Sequence, residues 1–277
     1  MCKFIFEMVS LYTMTHITAI VLGFIEGITE FIPISSSGHL IIARQILNIN
    51  YTGGLAFDAV LQLATSCALA VYFRNDIIVI LRNAYNFILG KQLDDKDRNL
   101  LMAIVFGTIP AVIFGLLLER YMEIAFRSTH LIALTLILGS ILFWYSQKFA
   151  TKNQILTVGR GVVVGFFQCL ALVPGVSRSG ATISGGLIAG LTYEEAVRFS
   201  FLLSLPILLG SGIKKLLEVR HEIFSTDYGS SLLLGSVVAF IVGFISINFL
   251  IKYLKTHNLN LFIYYRVVLA ILILILI

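Results

Sequence analysis

Two carboxylates four residues apart, Glu26 and Glu30, stand just ahead of the run Pro33-Ile34-Ser35-Ser36-Ser37-Gly38-His39. On a helix they share one face, one turn apart. So close, they repel unless a cation lies between them or one is protonated. Such oxygens suit Mg2+ or Ca2+, and Mg2+ commonly takes one or two carboxylates together with substrate phosphate oxygens. The proline ends the first helix, and Gly38 allows close backbone approach as the next one opens. A serine here can cap the new helix, whose first N–H groups and positive dipole end favour an anion. One serine suffices for a cap; three followed by a histidine exceed it. His39 has the chemistry of a general base for a serine, or of a nucleophile towards phosphorus.

A second loop reads Pro174-Gly175-Val176-Ser177-Arg178-Ser179-Gly180-Ala181-Thr182. Arg178 is the one charge between Gly161 and Tyr193, and its planar fork suits bidentate phosphate binding. Ser177, Ser179, Thr182 and the N–H groups of the helix start can complete an anion cradle. Ser35 and Ser37 join this diphosphate-binding set from the first loop. The competing reading is a buried Arg178 paired with Glu26 or Glu30 for structure alone. Gln168 stands where Glu26 stands in the first segment, as a neutral hydrogen-bonding counterpart. Asp58 and Gln62, one turn apart on the next apolar stretch, and Arg198 and Ser200 after the second loop, are candidates for an outer layer that orients the site.

The elements that carry these loops are apolar. The 277 residues are 58% hydrophobic and 13% charged, with a mean hydropathy of +0.95. Soluble domains carry roughly 25% charged residues, so lipid is the expected solvent. The net charge of +5 is scattered over short loops, which suits membrane topology better than nucleic-acid binding. The expected fold is an all-α polytopic membrane protein with about six full spans near 55–73, 100–118, 130–147, 195–212, 230–251 and 260–277, each close to the ~20 helical residues that cross a bilayer. Segments 15–32 and 38–47, and 156–173 and 181–191, flank the two proline loops and predict re-entrant hairpins, tolerated at depth only where protein or water satisfies the backbone. The segment 77–89 is short and polar enough for an interfacial helix. Cys67 and Cys169 lie in apolar stretches and read, with Cys2, as small packing residues rather than metal ligands. The first fifteen residues show no cleavage site after an apolar core, so no removable signal peptide is expected.

The two loops repeat one another. Gly23-Phe24-Ile25-Glu26 matches Gly165-Phe166-Phe167-Gln168, and Ser35-Ser36-Ser37-Gly38 matches Ser177-Arg178-Ser179-Gly180, both at an offset of 142. A fainter echo pairs Gly107, Ala111 and Gly115 with Gly235, Ala239 and Gly243 at an offset of 128. Three spans between the hairpins make the repeat an inverted-topology one, with both tips near the midplane. One membrane domain over 1–277 then has a first half near 15–118, a second near 156–254 and a final helix at 260–277. The richer basic loops place both termini outside. The same glycines permit either a homodimer or close packing within the chain.

The stretch from Glu26 to His39, taken with Pro174 to Thr182, closely resembles the undecaprenyl-diphosphate phosphatase family, also known as bacitracin-resistance proteins. The likeness continues through Phe57–Phe73 and Ser200–Pro206. It implies hydrolysis of a long-chain prenyl diphosphate, C55 undecaprenyl diphosphate, to the monophosphate, recycling the carrier lipid for peptidoglycan. It further implies a divalent cation and a bacterial inner-membrane location, with the site facing the periplasm. By matching position, Glu26 and Glu30 would serve metal binding and catalysis, Ser36 and His39 would lie at the nucleophile, and Arg178 would grip the diphosphate. Serine, histidine and water all remain as attacking groups. The chain departs from the family in roughly ten extra N-terminal residues and in Ala64, where a glycine is commoner. The runner-up is a lipid-phosphate or anion transporter, a common use of inverted repeats with broken helices. A third class of membrane lipid phosphatases would require a histidine where Ser184 stands, and fails there.

Overall fold

A computed structural model gives the fold over residues 15–47, 54–125, 128–151, 155–223 and 228–276, and every regular element among them is helical. In chain order these are α1 His16–Phe31, α2 Ser36–Ile46, α3 Gly54–Tyr72, α4 Arg74–Ile88, α5 Asp95–Ala125, α6 Thr129–Ser146 with a 3-10 turn Gln147–Phe149, α7 Val158–Leu170, α8 Arg178–Ile188, α9 Tyr193–Ile223, α10 Tyr228–Leu254 and α11 Asn260–Leu276. The expected break at each proline loop is present: α1 stops and α2 starts across Pro33, and α7 and α8 do the same across Pro174.

Capping chemistry repeats with the sequence offset. Thr15 opens α1 by accepting from Thr18 N–H, and Thr157, 142 residues on, opens α7 by accepting from Arg160 N–H. Ser35 and Ser177 open α2 and α8 by accepting from Gly38 and Gly180 N–H, each at 3.3 Å. These two serines are the non-glycine residues with positive φ among those described, at 79° and 76°. Left-handed backbone of this kind costs a non-glycine residue about 1–3 kcal/mol and collects at functional sites.

Glycine contacts then bring distant helices together. A Cβ on Gly23 of α1 would fall 2.2 Å from the carbonyl oxygen of Gly235 on α10, and one on Gly165 of α7 would fall 2.1 Å from that of Gly107 on α5. α1 therefore packs backbone to backbone on α10, and α7 on α5, through positions related by the sequence offsets of 142 and 128. The glycine echo of α5 and α10 has this physical basis, and these glycines are taken up by contacts inside the chain.

Four helices are individually long and apolar enough to span: Asp95–Leu118, Thr129–Phe149, Tyr193–Glu218 and Gly229–Leu254. About six were expected. Phe57–Tyr72 qualifies only together with Arg74–Ile88, from which it is bent by 81°. The 17 residues of α11 fall at the lower end of the roughly 17–25 helical residues that cross a bilayer. The segment expected at the interface is α4, turned away from α3, with Ile78, Leu81, Tyr85 and Ile88 exposed along it. Trp144 and Lys148, whose Nζ lies 3.9 Å from the indole ring centre, mark an interfacial level at the end of α6. Cys169 is half-buried, whereas Cys67 lies on an exposed face of α3 instead of packing inside, a position that a weakly polar thiol tolerates in lipid. Cys2 and most of the segment without a cleavage site lie outside the described residues. The main core gathers Phe31, Phe73, Phe143, Phe199 and Phe201 around the ends of the two proline loops.

Candidate active site

The two loops meet. Glu30, on the last turn of α1, is buried, and its Oε2 accepts a 2.6 Å hydrogen bond from Ser36 Oγ at the start of α2. Its Oε1 lies 3.6 Å from Nη1 of Arg178, the first residue of α8. That is ion-pair range but beyond a hydrogen bond, and Arg178 Nη1 is buried with no hydrogen-bond partner among the described residues. A buried donor in that condition calls for an acceptor from outside the protein. A small cavity between α1, α8 and α9 is lined by Glu30, Phe31, Arg178, Ser179, Ser200, Phe201 and Ser204. Phe31 and Phe201 close it edge to face, their ring centres 5.6 Å apart. A guanidinium at one helix start thus faces a carboxylate–hydroxyl pair at another, an arrangement that can hold an anion and take a proton from the group that attacks it.

The remaining serines divide by what already occupies them. Ser35 and Ser177 cap α2 and α8. Thr182 donates to the Arg178 carbonyl at 2.8 Å and is hydrogen-bonded to Ser200, so it locks α8 onto α9. Ser37 is exposed, and Ser179 is a buried neighbour of Ser177, their hydroxyls 3.2 Å apart. Glu26 is buried one turn before Glu30. Both ring nitrogens of His39 have partners of their own: Nδ1 lies 2.7 Å from the Ser35 carbonyl and Nε2 lies 2.7 Å from Tyr265 Oη of α11. Because a carbonyl only accepts, Nδ1 carries the proton; in the neutral ring Nε2 then accepts from the tyrosine hydroxyl.

With this geometry in hand, comparison with known proteins is decisive. The model of the family described as bacitracin resistance protein BacA matches residues 19–272. The chain belongs to this family. Relatives named undecaprenyl-diphosphatase include one from Moorella thermoacetica, 41% identical over 94% of this chain and 97% of the relative. Another, from Mycolicibacterium smegmatis, is 40% identical over 94% of this chain and 96% of its own length. A third, from Renibacterium salmoninarum, is 37% identical over 95% and 96%.

In this BacA-family member the outer residues take several parts. Asp58 forms a two-pronged ion pair with Arg44, tying α2 to α3. Arg198 is paired with Asp76 of α4. Gln62 is half-buried on α3. Gln168 is buried, and neither atom of its amide has a hydrogen-bond partner among the described residues. As for a cation, no cluster of three or more His, Cys, Asp or Glu suited to a metal occurs among the described residues. Two buried carboxylates with a neighbouring serine fit a hard cation whose shell is completed by substrate phosphate and water, rather than a self-standing metal centre. Sequence reasoning missed Tyr265, whose only signal was a hydroxyl on an apolar helix, and Ser204, which sits one turn beyond Ser200 on α9.

Proposed function

We propose that the protein hydrolyses undecaprenyl diphosphate to undecaprenyl phosphate and inorganic phosphate, returning the carrier lipid to cell-wall synthesis. The observation that carries this reading is Glu30 held between Ser36 of one proline loop and Arg178 of the other. The names of the relatives supply the substrate.

Arg178 grips the diphosphate with Nη1, the guanidinium nitrogen that has no hydrogen-bond partner among the described residues. Ser36 attacks the terminal phosphorus as Glu30 takes its proton. The bond to the bridging oxygen breaks, and the prenyl phosphate departs as an anion, needing no strong acid. Water then hydrolyses the phosphoserine, freeing phosphate and restoring the hydroxyl. Attack by water itself, with Glu30 as base, uses the same groups; the 2.6 Å Ser36–Glu30 bond favours the serine. Mg2+ or Ca2+ on Glu26 and Glu30, when bound, supplies charge neutralisation at the phosphate oxygens. Such reactions rest on positioning and charge stabilisation. The prenyl tail stays in lipid while the head group enters between the hairpins, which lie in an inverted repeat in the bacterial inner membrane and open to the periplasm.

Purified protein in detergent, given a long-chain prenyl diphosphate, should release inorganic phosphate when Mg2+ or Ca2+ is present. Movement of lipid phosphate across vesicles without phosphate release would replace this reading with the transporter.

A further inference from the structure

Arg266 is the one charged residue from Asn260 to Ile277, and it is fully buried. An ionised side chain in an apolar helix is retained where it faces protein and finds partners. Here the partners are mostly backbone carbonyls. Nη1 donates to the carbonyl of Pro33 at 3.4 Å, and Nη2 donates to that of Gly175 at 3.0 Å. Nη2 also donates to the carbonyls of Thr135 and Leu136 on α6, at 3.3 and 3.2 Å, while Nε donates to Ser140 Oγ at 3.3 Å. The guanidinium carbon stands 4.7 Å over the Phe143 ring.

Pro33 and Gly175 belong to the two different proline loops. One loop carries Ser36 and follows Glu30; the other leads into Arg178. A single planar group thus holds both loops and fastens them to α6. The surroundings are shaped for it. Gly139 leaves the guanidinium its room, since a Cβ there would fall 2.2 Å from Nη2. Thr135 donates to the Pro174 carbonyl at 2.7 Å, which seats the second loop on the same turn of α6. An ammonium could not reproduce this arrangement, because a lysine presents a point charge where arginine spreads donors along a fork.

We infer that Arg266 is a positioning residue that sets the separation of the two loops, and with it the placement of Glu30 and Ser36 against Arg178, without touching substrate. What that separation accomplishes rests on the phosphatase reading; the latch itself does not.

The test uses full-length protein in detergent, with Arg266→Lys, Arg266→Met and Gly139→Ala. The last keeps the arginine but puts a methyl group in its seat. Folded material is selected by a single symmetric size-exclusion peak and parental helical circular dichroism. Phosphate release is measured against prenyl diphosphate concentration, and hydrogen exchange is followed in peptides covering residues 31–38 and 173–180. A latch predicts kcat lower by about 100-fold, the loss typical of misplacement on the ångström scale, with KM changed less than about threefold. It also predicts that both loop peptides exchange faster together while those of α10 do not. If Arg266 serves folding alone, yield or melting temperature falls but kcat per folded molecule and loop exchange keep their parental values, and the inference is overturned. A change confined to KM also overturns it, because the arginine would then be a substrate ligand. Should neither Arg266 variant fold, Gly139→Ala carries the same expectations. If the parent itself releases no phosphate, the phosphatase reading falls, and the exchange data alone decide on the latch.

Discussion

Glu30 stands between the Ser36 hydroxyl and the Arg178 guanidinium, and the proposed reaction asks it to take the proton of the first while the second stays charged. Glu30→Gln preserves the shape and a hydrogen bond to Ser36 but removes the base. Phosphate release by this variant should fall by about 10²–10⁴-fold in kcat, the range for loss of general-base catalysis, with little change in KM. Arg178→Lys keeps the charge and loses the fork; both KM and kcat should worsen in the same steady-state assay, and parental kinetics would remove Arg178 from substrate binding. His39 presents a different case, since its protonated nitrogen holds the Ser35 carbonyl and its other nitrogen is occupied by Tyr265. If bracing the loop is its role, His39→Asn, which keeps an N–H on the near side of the side chain, should retain far more activity than His39→Ala. Tyr265→Phe should stay within about threefold of the parent, because it removes only a bond to the outer nitrogen. A large rise in rate with Tyr265→Phe would instead mean that the tyrosine restrains a histidine base. The acidic, basic and nucleophilic residue types of the site were legible in the sequence. Which serine of each loop takes the cap was not, because each loop offers more than one serine with the chemistry to do so and backbone direction selects Ser35 and Ser177.

At the scale of the element, the strained caps make an unusual forecast. Replacing an N-cap serine by alanine costs typically ~1 kcal/mol, by glycine only a few tenths. At Ser35 and Ser177, with φ of 79° and 76°, glycine also relieves backbone strain. Ser177→Gly should therefore melt near the parent in detergent, and Ser177→Ala below it; the reverse order would mean that the strain is absent. The helix crossings are equally testable. An alanine at Gly165 or Gly23 would push a methyl group into a facing backbone carbonyl, and backbone cannot swing aside as a side chain would. Overpacking of this kind costs about 1–3 kcal/mol, so each variant should unfold at lower temperature than the parent. The proline breaks and the glycine spacing could be read from the sequence. The pairing of α1 with α10 and of α7 with α5 could not, because residues some 60–210 positions apart, such as Gly107 with Gly165 and Gly23 with Gly235, leave no local periodicity.

For the whole molecule, the donor set of two carboxylates forecasts a cation that binds together with substrate. Chelator should abolish phosphate release and added Mg2+ should restore it. Mn2+ titrated by electron paramagnetic resonance should bind weakly to the protein alone and at least about tenfold more tightly when a non-hydrolysable prenyl diphosphate analogue completes the shell with phosphate oxygens. Tight binding without the analogue would require ligands beyond Glu26 and Glu30. Membrane character was plain from composition, and so were the apolar stretches that become the long helices. Hydropathy reports how apolar a stretch is, whereas the 81° bend between α3 and α4 is a matter of direction that it does not carry.

The amino-acid sequence alone determined the solvent, the two broken hairpins, their repetition and the residues equipped for phosphate chemistry, since each follows from side-chain type or from spacing along the chain. Only the tertiary structure decided that Glu30 and Arg178 face each other at 3.6 Å, that capping occupies two of the serines, and that Arg266 of the last helix bridges both loops. The first and last of these depend on surfaces meeting across about ninety residues or more, where glycine permits the approach and burial of polar groups selects their partners; the caps depend on the local backbone turn.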